Sequence, residues 1–410
     1  MREMTLTDRL RIARTEWSKV LDRQEAGRDQ GLYLTNENQL DNNHWGDSLE
    51  DKGEDVFRLY SQNVNGLSLD RRGGQFDQLC RVAKEVQADM MGGQEHNLDS
   101  SKPQVRSILY NTARSHWQRS RLNFATALIE FDSIRKPGGT FLFTVGYATG
   151  RIIAQHADAA GRFTSQTFQG GNNHKVTIIS AYQVVSDIVK PGSTTSASQQ
   201  SSILLRSNDP IKTPRAAFRR DLQKHIQQSQ NAGHDIILTG DFNETLGQDL
   251  DGLTKVISAC NLVDVMSARH PETLPVTYSR GRRCLDYILV SPRIVPAVTR
   301  CGYEAFGNRF ASDHRALFVD FNTSALFGTN IPKLSRHEPR LLNSTNLRQV
   351  TEYVRKAYDL CEASNVFDRA TRLSNPGDRH QFAERLDRDV TKICLSAENA
   401  SQNSNRRLGL

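Results

Sequence analysis

The sequence predicts a large mixed domain of helices and strands, of the α/β (α+β) type, between about residues 56 and 322 of its 410. Two observations favour this fold class. Short runs of β-branched and aromatic residues, such as Val56 to Val64, alternate with segments whose apolar residues recur at helical spacing. Apolar residues make up 37% of the chain and charged residues 24%, which is typical of globular proteins of one large or two ordinary domains.

The strands are predicted from short apolar runs, and the helices from apolar residues three or four positions apart. The strand candidates are Val56 to Val64, Asp89 to Gln94, Thr140 to Val145, Lys175 to Tyr182, Asp235 to Leu238, Leu285 to Val290 and Ala316 to Phe321. The helix candidates are Gln75 to Val86 and Arg215 to Gln230. The Ser- and Thr-rich segment from Lys190 to Ser202 is predicted to be a surface loop.

Two appendages flank the predicted domain. Residues 1–55 begin with an amphipathic stretch, expected to dock on a surface, and continue as a polar linker. Residues 323–410 contain two helical segments separated by a turn at Asn375-Pro376-Gly377. We expect them to pack on the main domain or on a missing partner, because two short helices bury little core. The three apolar stripes are Leu6, Leu10, Ala13, Trp17 and Leu21; Leu347, Val350, Val354, Ala357 and Cys361; and Phe382, Leu386, Val390, Ile393 and Ala397.

Composition narrows the class of protein. Lys and Arg number 53 against 46 Asp and Glu, and this net charge of +7 favours an anionic partner, although many basic proteins bind no nucleic acid. The six cysteines lie far apart and lack zinc-site spacing, so reduced thiols in the nucleus or cytoplasm are expected. No apolar run approaches the roughly 20 residues that cross a bilayer, and no secretory signal is apparent. We therefore expect neither secretion nor membrane insertion.

Acidic, amide and histidine residues recur where predicted strands end. Asn63 and Glu95 each follow a strand, although Asn and Glu are also ordinary loop residues. Asp241 and Asn243 follow a Gly turn two positions apart, so extended chain would aim both side chains the same way. A turn held by an Asp side chain is the alternative interpretation. Hydrolysis of a phosphodiester needs such groups to hold a cation, activate water and stabilise charge.

Two further motifs lie near the end of the predicted domain. Asp286 interrupts an apolar strand, and burial of an unpaired carboxylate costs several kcal/mol, so a partner is expected. Asp313 and His314 precede the last strand, where a neighbouring carboxylate would keep the histidine protonated. A core histidine bound to a backbone carbonyl is the alternative.

Taken in order, these motifs resemble those of the endonuclease/exonuclease/phosphatase superfamily over about two thirds of the chain. The resemblance implies a four-layer α/β sandwich of two mixed sheets flanked by helices, with the site at one sheet end. It also implies a catalytic site that uses Mg²⁺ or Mn²⁺. The implied metal ligands are Glu95, Asn63 and Asp313, and the implied catalytic residues are Asp241, Asn243, His314, Asp286 and Tyr182.

The sequence departs from the family pattern at two places. Gln183-Val184-Val185 follows Tyr182, where the family often has Pro and Asn, and Gly92-Gly93 stands in the usually apolar run before Glu95. Every acidic and histidine position of the pattern is nevertheless filled. Loss of activity through missing residues is therefore not indicated.

Basic residues favour nucleic acid, with DNA the first choice, as the substrate. Five arginines stand near the motifs, although solvated loop arginines are an equal alternative. They are Arg71, Arg72, Arg280, Arg282 and Arg283. The run from Pro275 to Tyr287 also resembles the endonuclease domains of non-LTR retroelements, so the chain is either a retroelement fragment or a separate nuclease.

Other hypotheses stay open at this point. A phosphomonoesterase or deadenylase of the same superfamily would use the same residues. A catalytically silent nucleic-acid-binding module would retain the arginines without cleavage. No stable protein partner is predicted, except that the C-terminal extension is expected to contact another domain.

Overall fold

The computed structural model describes residues 43–69, 74–129, 134–189, 193–329, 342, 346–373 and 379–406. The chain divides into two compact units, one up to residue 332 and one from residue 333 onward. The predicted N-terminal amphipathic stretch, Arg71 and Arg72 lie outside the described residues. Among the described residues, every helix is too short or too polar to span a bilayer.

Two mixed β-sheets pack face to face in the first unit. The first sheet has seven strands in the order β1-β12-β13-β2-β3-β5-β4, and the second has six in the order β10-β11-β9-β8-β7-β6. In the first sheet the strands are β1 (Trp45–Gly46), β2 (Val56–Asn63), β3 (Met90–Gln94), β4 (Ser120–Ala125), β5 (Thr140–Val145), β12 (Val298–Tyr303) and β13 (Leu317–Asn322). In the second they are β6 (Ile152–Ala157), β7 (Phe163–Gln169), β8 (Lys175–Tyr182), β9 (His234–Asp241), β10 (Val263–Asp264) and β11 (Asp286–Val290).

Helices cover the outer faces of the two sheets, which gives the four layers that the sequence predicted. The helices of this unit are α1 (Gly74–Glu85), α2 (Pro103–His116), α3 (Ser196–Arg206), α4 (Pro214–Asn231), α5 (Leu253–Ala259), α6 (Val265–Arg269) and α7 (Thr323–Phe327), with 3-10 turns at Gly146–Arg151 and Pro292–Ala297. On α1, Phe76, Leu79 and Ala83 are buried against the first sheet, and on α4, Phe218, Leu222 and Ile226 are buried with the second. The amphipathic stripes thus decide which face each helix turns inward.

The apolar core between the sheets follows from strands that are apolar on nearly every residue. Leu59 on β2, Ile178 on β8 and Leu238 on β9 are fully buried in one continuous cluster. Such runs are expected where both faces of a strand are covered. Burial of a side chain of this size contributes about 1.5–3 kcal/mol, so this cluster is a main source of stability.

Strand directions bring the polar motifs to one edge of the sandwich. The parallel pair β2 and β3 ends with Asn63 opposite Gln94, and the parallel pair β8 and β9 ends with Tyr182 opposite Asp241. β11 runs antiparallel to β9 and begins at that edge, with Asp286 opposite Asp241. Residues far apart in sequence therefore meet where these strands end.

All seven predicted strands and both predicted helices of this domain are present, with ends shifted by a few residues. The loop predicted from Lys190 to Ser202 is wrong in part, because α3 begins at Ser196. The Thr195 side chain caps this helix by accepting a hydrogen bond from the Ser198 amide, and Leu204 packs inward. The polar linker predicted up to residue 55 contains β1, whose Trp45 pairs with Tyr303.

The second unit is a helical hairpin with a short connecting helix. It consists of α8 (Leu347–Ala363), α9 (Val366–Arg372) and α10 (Arg379–Arg406), and α9 was not predicted. Val366, Leu386 and Ile393 form its small buried cluster. The two predicted helical stripes therefore do form helices, and they pack on each other.

Candidate active site

Asn63 joins the two sheets at the centre of the candidate site. Its Nδ2 donates to Glu95 Oε1 at 3.0 Å and to Asp241 Oδ2 at 2.9 Å. Its Oδ1 accepts a hydrogen bond from the Asn65 amide, so both ends of the side chain are fixed. Because Asn63 is 1% exposed, its position is determined by these bonds rather than by solvent. One amide group thus holds carboxylates from both sheets side by side.

A strained turn presents Glu95. Its φ is +53°, a conformation that non-glycine residues seldom adopt, and its amide donates to the Gly139 carbonyl at 2.8 Å. The next residue, His96, is fully buried: its Nε2 lies 2.9 Å from the Ala125 carbonyl, and its Nδ1 accepts from the Leu98 amide. The side chain of His96 therefore holds the turn that aims Glu95.

The turn after β9 presents Asp241 and Asn243. Gly240 is required there, because a Cβ at this position would lie 2.0 Å from the Ala181 carbonyl oxygen. The Asn243 amide donates to Asp241 Oδ1 at 2.9 Å, and its Nδ2 donates to the Gln183 carbonyl at 2.8 Å. The Asp-held turn that was the alternative interpretation is present, and it also positions Asp241 beside Asn63.

Asp286 and His314 form a buried pair next to Asp241. His314 Nδ1 lies 2.9 Å from Asp286 Oδ2, and His314 Nε2 lies 3.8 Å from Asp241 Oδ2. The partner expected for the carboxylate of Asp286 is therefore His314. The other oxygen of Asp286 accepts no hydrogen bond from the described residues.

Electrostatics couples these groups strongly. Burial, together with the negative charges of Asp286 and Glu95, raises the pKa of Asp241 to about 8 against the opposing effect of His314. Burial lowers the pKa of His314, but the carboxylates of Asp286 and Asp241 outweigh it and raise the pKa to about 10. His314 is thus held in its protonated form, able to donate a hydrogen bond to an anion.

Tyr182 and Asp313 complete the predicted set. Tyr182 is buried and donates to Glu95; burial and the carboxylates of Glu95 and Asp241 raise the pKa of Tyr182 well above its usual range. Asn65 links Asp313 to Asn63: its Nδ2 donates to Asp313 Oδ1 at 3.0 Å, and its amide donates to Asn63 Oδ1. The unusual Gln183 after Tyr182 is used in the turn, because its side chain donates to the Phe242 carbonyl and to Glu244.

The arginine loop lies at the rim of the site. Arg280 is 3.5 Å from Asp313 Oδ2 with its side chain 74% exposed, and Arg282 and Arg283 are exposed. Between this loop and the site, the Tyr278 ring lies 5.0 Å from the His314 ring. A basic, solvent-facing rim therefore adjoins the buried carboxylates.

Three supporting residues had no predicted role. Gln94 donates to Ser180 Oγ at 3.0 Å across the two sheets, directly behind Glu95. Ser312 Oγ donates to the Asn63 carbonyl at 2.6 Å, and His96 holds the turn described above. Gln94 could have been noticed as a polar residue at the end of an apolar run. Its hydrogen-bond partner could not have been predicted, because Ser180 lies 86 residues further along the chain.

The donor set fits a hard divalent cation. Glu95, Asp241 and Asp313 offer carboxylate oxygens at one edge, and oxygen donors are the ligands that Mg²⁺ and Mn²⁺ prefer. Like charges of Glu95, Asp241 and Asp286 repel one another, which a bound cation would relieve. Asp286 and Asp241 hold His314 in its protonated form, so both ring nitrogens carry a proton and neither offers a lone pair to a metal ion.

The region that matches known proteins contains the residues of the candidate site. The model of the Endonuclease/Exonuclease/phosphatase family matches residues 60–314. No curated relative matches the chain in sequence. Among solved structures, the AP endonuclease LMAP from Leishmania major is 15% identical with a TM-score of 0.47, covering 65% of this chain and 88% of its own.

Two other solved structures match the same share of this chain, 65%. The 3' phosphatase NExo from Neisseria, bound to a product DNA hairpin, is 15% identical with a TM-score of 0.44, covering 65% of this chain and 99% of its own. The human Nocturnin catalytic domain is 18% identical with a TM-score of 0.41, covering 65% and 93%.

Proposed function

The chain belongs to the endonuclease/exonuclease/phosphatase family, and from that premise we propose that it is a divalent-metal-dependent phosphodiesterase that cleaves nucleic acid, acting as an endonuclease on DNA. One observation carries this proposal. Asn63 holds Glu95 and Asp241 within hydrogen-bond distance of one amide, beside the His314 and Asp286 pair. Glu95 and His314 thus meet at one edge, as the enzymatic hypothesis requires.

Glu95, with Asn63 and Asp313, is assigned to hold the metal ion. When bound, Mg²⁺ or Mn²⁺ would neutralise charge on the phosphate and lower the pKa of a water molecule. Asp241 is the residue best placed to orient and deprotonate the attacking water. A carboxylate with a raised pKa is a stronger base than an ordinary aspartate, which suits this role.

His314 and Asn243 would stabilise the phosphate. Protonated His314 presents Nε2 toward Asp241, where it can donate to a non-bridging oxygen while Asp286 fixes the ring. Tyr182 would act from beside Glu95. The charge that develops in the transition state would thus meet donors already fixed in position.

The exposed arginines support a polymeric substrate. Arg280, Arg282 and Arg283 lie on one loop that adjoins the site through Asp313, so they would contact phosphates beside the scissile one. A small phosphomonoester would leave these arginines without a ligand. An origin in a non-LTR retroelement remains a hypothesis that rests on the run from Pro275 to Tyr287.

Metal-dependent cleavage of a substrate panel tests the proposal. With Mg²⁺, the full chain should nick supercoiled plasmid, and Glu95→Gln should abolish nicking while Glu54→Gln, at an exposed loop residue, should not. Release of inorganic phosphate or AMP without nicking would favour the phosphatase or deadenylase alternative. DNA retention without cleavage under Mg²⁺ or Mn²⁺ would favour a silent binding module.

A further inference from the structure

Gln183, directly after β8, is bonded to the whole turn that follows β9. Its amide donates to the Asp241 carbonyl at 3.0 Å, and its carbonyl accepts from Asn243 Nδ2 at 2.8 Å. Its side-chain Nε2 donates to the Phe242 carbonyl at 2.6 Å and to Glu244 Oε2 at 3.1 Å. One residue after β8 therefore bonds to each of four consecutive residues after β9.

The side chain of Gln183 lies inside the protein. It is 0% exposed, and both hydrogens of its Nε2 are used in the two bonds to Phe242 and Glu244. An apolar side chain of the same length would fill the same space without either bond. Because Gln183 is buried, it cannot touch a substrate, and its effect on a reaction would pass through Asp241 and Asn243.

Glu244 fixes the side chain of Gln183 from the opposite direction. Its Oε2 lies 2.9 Å from a nitrogen of Arg215 and 3.4 Å from a nitrogen of Arg219, and its Oε1 accepts from the Leu253 amide at 2.5 Å. The side chain of Glu244 is only 7% exposed, so these charge-assisted bonds are shielded from water. Gln183 thus donates to a carboxylate that is itself held in place.

Arg215 connects these bonds to a buried helix. It lies in the first turn of α4, where its guanidinium also donates to the Val184 carbonyl at 2.7 Å and its amide donates to Asp187 Oδ1 at 2.8 Å. α4 packs into the core through Phe218 and Leu222. The turns after β8 and β9 are therefore both attached to α4 through one arginine.

We propose that Gln183 and Glu244 are positioning residues of the candidate site, which hold the turn after β9 so that Asp241 and Asn243 keep fixed places beside the substrate. The inference rests on the proposed function, because it gives these residues an effect on phosphodiester cleavage. A displacement of about 1 Å in a reacting group can lower a rate about 10²-fold. Loss of these bonds should therefore lower kcat, and KM should stay near its wild-type value because neither residue touches the substrate.

Kinetics of two matched variants tests the inference. Gln183→Met keeps the length of the side chain and removes both bonds of Nε2, so kcat for plasmid nicking should fall about 10–100-fold, with KM changed less than about threefold. Gln166→Met is the control, because Gln166 is also 0% exposed but bonds to Thr144 and to the Arg121 carbonyl, outside the candidate site. It should lose stability and keep the wild-type kcat.

Glu244→Gln is the second variant, for use if circular dichroism at the assay temperature shows that Gln183→Met is unfolded. It keeps the shape of the side chain and removes the charge that pairs with Arg215, so kcat should fall about 3–10-fold. Wild-type kcat in folded Gln183→Met and in Glu244→Gln overturns the inference, as does an equal loss of kcat in Gln166→Met.

Amide hydrogen exchange separates this inference from the proposed function. The Asn243 amide, which donates to Asp241 Oδ1, should exchange at least about tenfold faster in Gln183→Met than in wild type or Gln166→Met. Unchanged exchange in Gln183→Met overturns the positioning role, whatever the wild type cleaves. Faster exchange in a protein whose wild type cleaves no nucleic acid overturns the proposed function, and with it the catalytic part of this inference.

Discussion

Two regions of this molecule differ from the usual pattern of buried apolar and exposed charged residues: one buries carboxylates, and the other exposes apolar side chains. At the candidate site, Asp241 and Asp286 are both fully buried, although carboxylates rarely are. On α8, Leu347 and Val354 are exposed, although such residues are usually covered. In the first region internal hydrogen bonds hold the carboxylates, although one oxygen of Asp286 accepts none from the described residues, whereas the second region exposes apolar side chains. Buried carboxylates of this kind are typical of functional or strained sites, whereas singly exposed apolar residues are common on protein surfaces.

The largest expected effect tests the buried carboxylates. Asp241→Asn should lower kcat for nucleic-acid cleavage by about 10³-fold or more, because the amide cannot take a proton from water. The thermal midpoint should fall only slightly, because relief of the repulsion from Asp286 and Glu95 offsets the loss of a hydrogen bond from Asn63 or Asn243. Asp251→Asn, at an exposed loop residue, is the control for both measurements. A large fall in the midpoint would show that Asp241 serves the fold instead.

The next effect concerns the turn that aims Glu95. His96→Leu keeps similar volume but loses both ring hydrogen bonds, so Mn²⁺ affinity measured by titration calorimetry should fall by about 10–100-fold. His116→Leu, which removes contacts with Asp77 and the Trp117 ring but none with the candidate site, should bind Mn²⁺ like wild type. Equal affinity in all three proteins would contradict the assigned role of His96.

Packing next to the site has a smaller expected effect. A Cβ at Gly93 would lie 2.3 Å from the Phe141 ring, so Gly93→Ala should destabilise the protein by about 1–3 kcal/mol in urea unfolding. Gly53→Ala, in an exposed loop where a Cβ would lie 3.3 Å from a side-chain oxygen of Asp55 that can move aside, should change stability by less than about 0.5 kcal/mol. If the two variants match, the ring moves freely and Gly93 is not required.

The pH dependence of stability tests the buried groups of the candidate site, His314 and Asp241. The pKa of His314 is raised from 6.5 to about 10, so its stabilising contribution is complete below pH 6.5 and is lost as the pH rises through about 10. The raised pKa of Asp241, from 3.8 to about 8, acts in the same direction. Metal-free protein should therefore become less stable to urea between pH 6.5 and 10. The slope should be flatter in His314→Gln, and a rise in wild type would be inconsistent with this pair.

The smallest effect belongs to the helical unit. Leu395 is 44% exposed on α10, and Leu395→Ala should alter stability by less than about 0.5 kcal/mol. Ile393, two residues earlier, is 8% exposed, and Ile393→Ala should cost about 2–4 kcal/mol in melting of α8 and α10. Similar costs for both would mean that Leu395 is covered in solution.

The sequence predicted the strands that are buried on both faces, because such strands are apolar at nearly every position. β2, β8 and β9 are covered on both faces and read as apolar runs. The six missed strands carry weaker patterns. β6 is largely exposed at a sheet edge, β4 alternates with polar residues, and β1 and β10 have two residues each. β7 is buried but mostly polar in sequence, and the first half of β12 is partly exposed. Short or edge strands are defined by their neighbours in space, which the local sequence does not specify.

The same limit applies to the candidate site. Its principal residues were predicted, in large part through the resemblance, because each stands at a strand end in a recognisable order. Their supports were not, since Gln94 reaches Ser180 and Ser312 reaches Asn63 only after the chain has folded. A prediction from sequence finds the groups that perform chemistry more readily than those that hold them.

The hydrogen bonds of Asn63 determine when the candidate site can form during synthesis and folding. Asn63 and Glu95 come from the first sheet and Asp241 from the second, so a chain with only one sheet assembled lacks half of the reactive centre. The ribosome must also have added His314 before its imidazole can take part. Under the function proposed above, a nascent or partly folded chain would not cleave nucleic acid, and activity would arise only when the two sheets pack together.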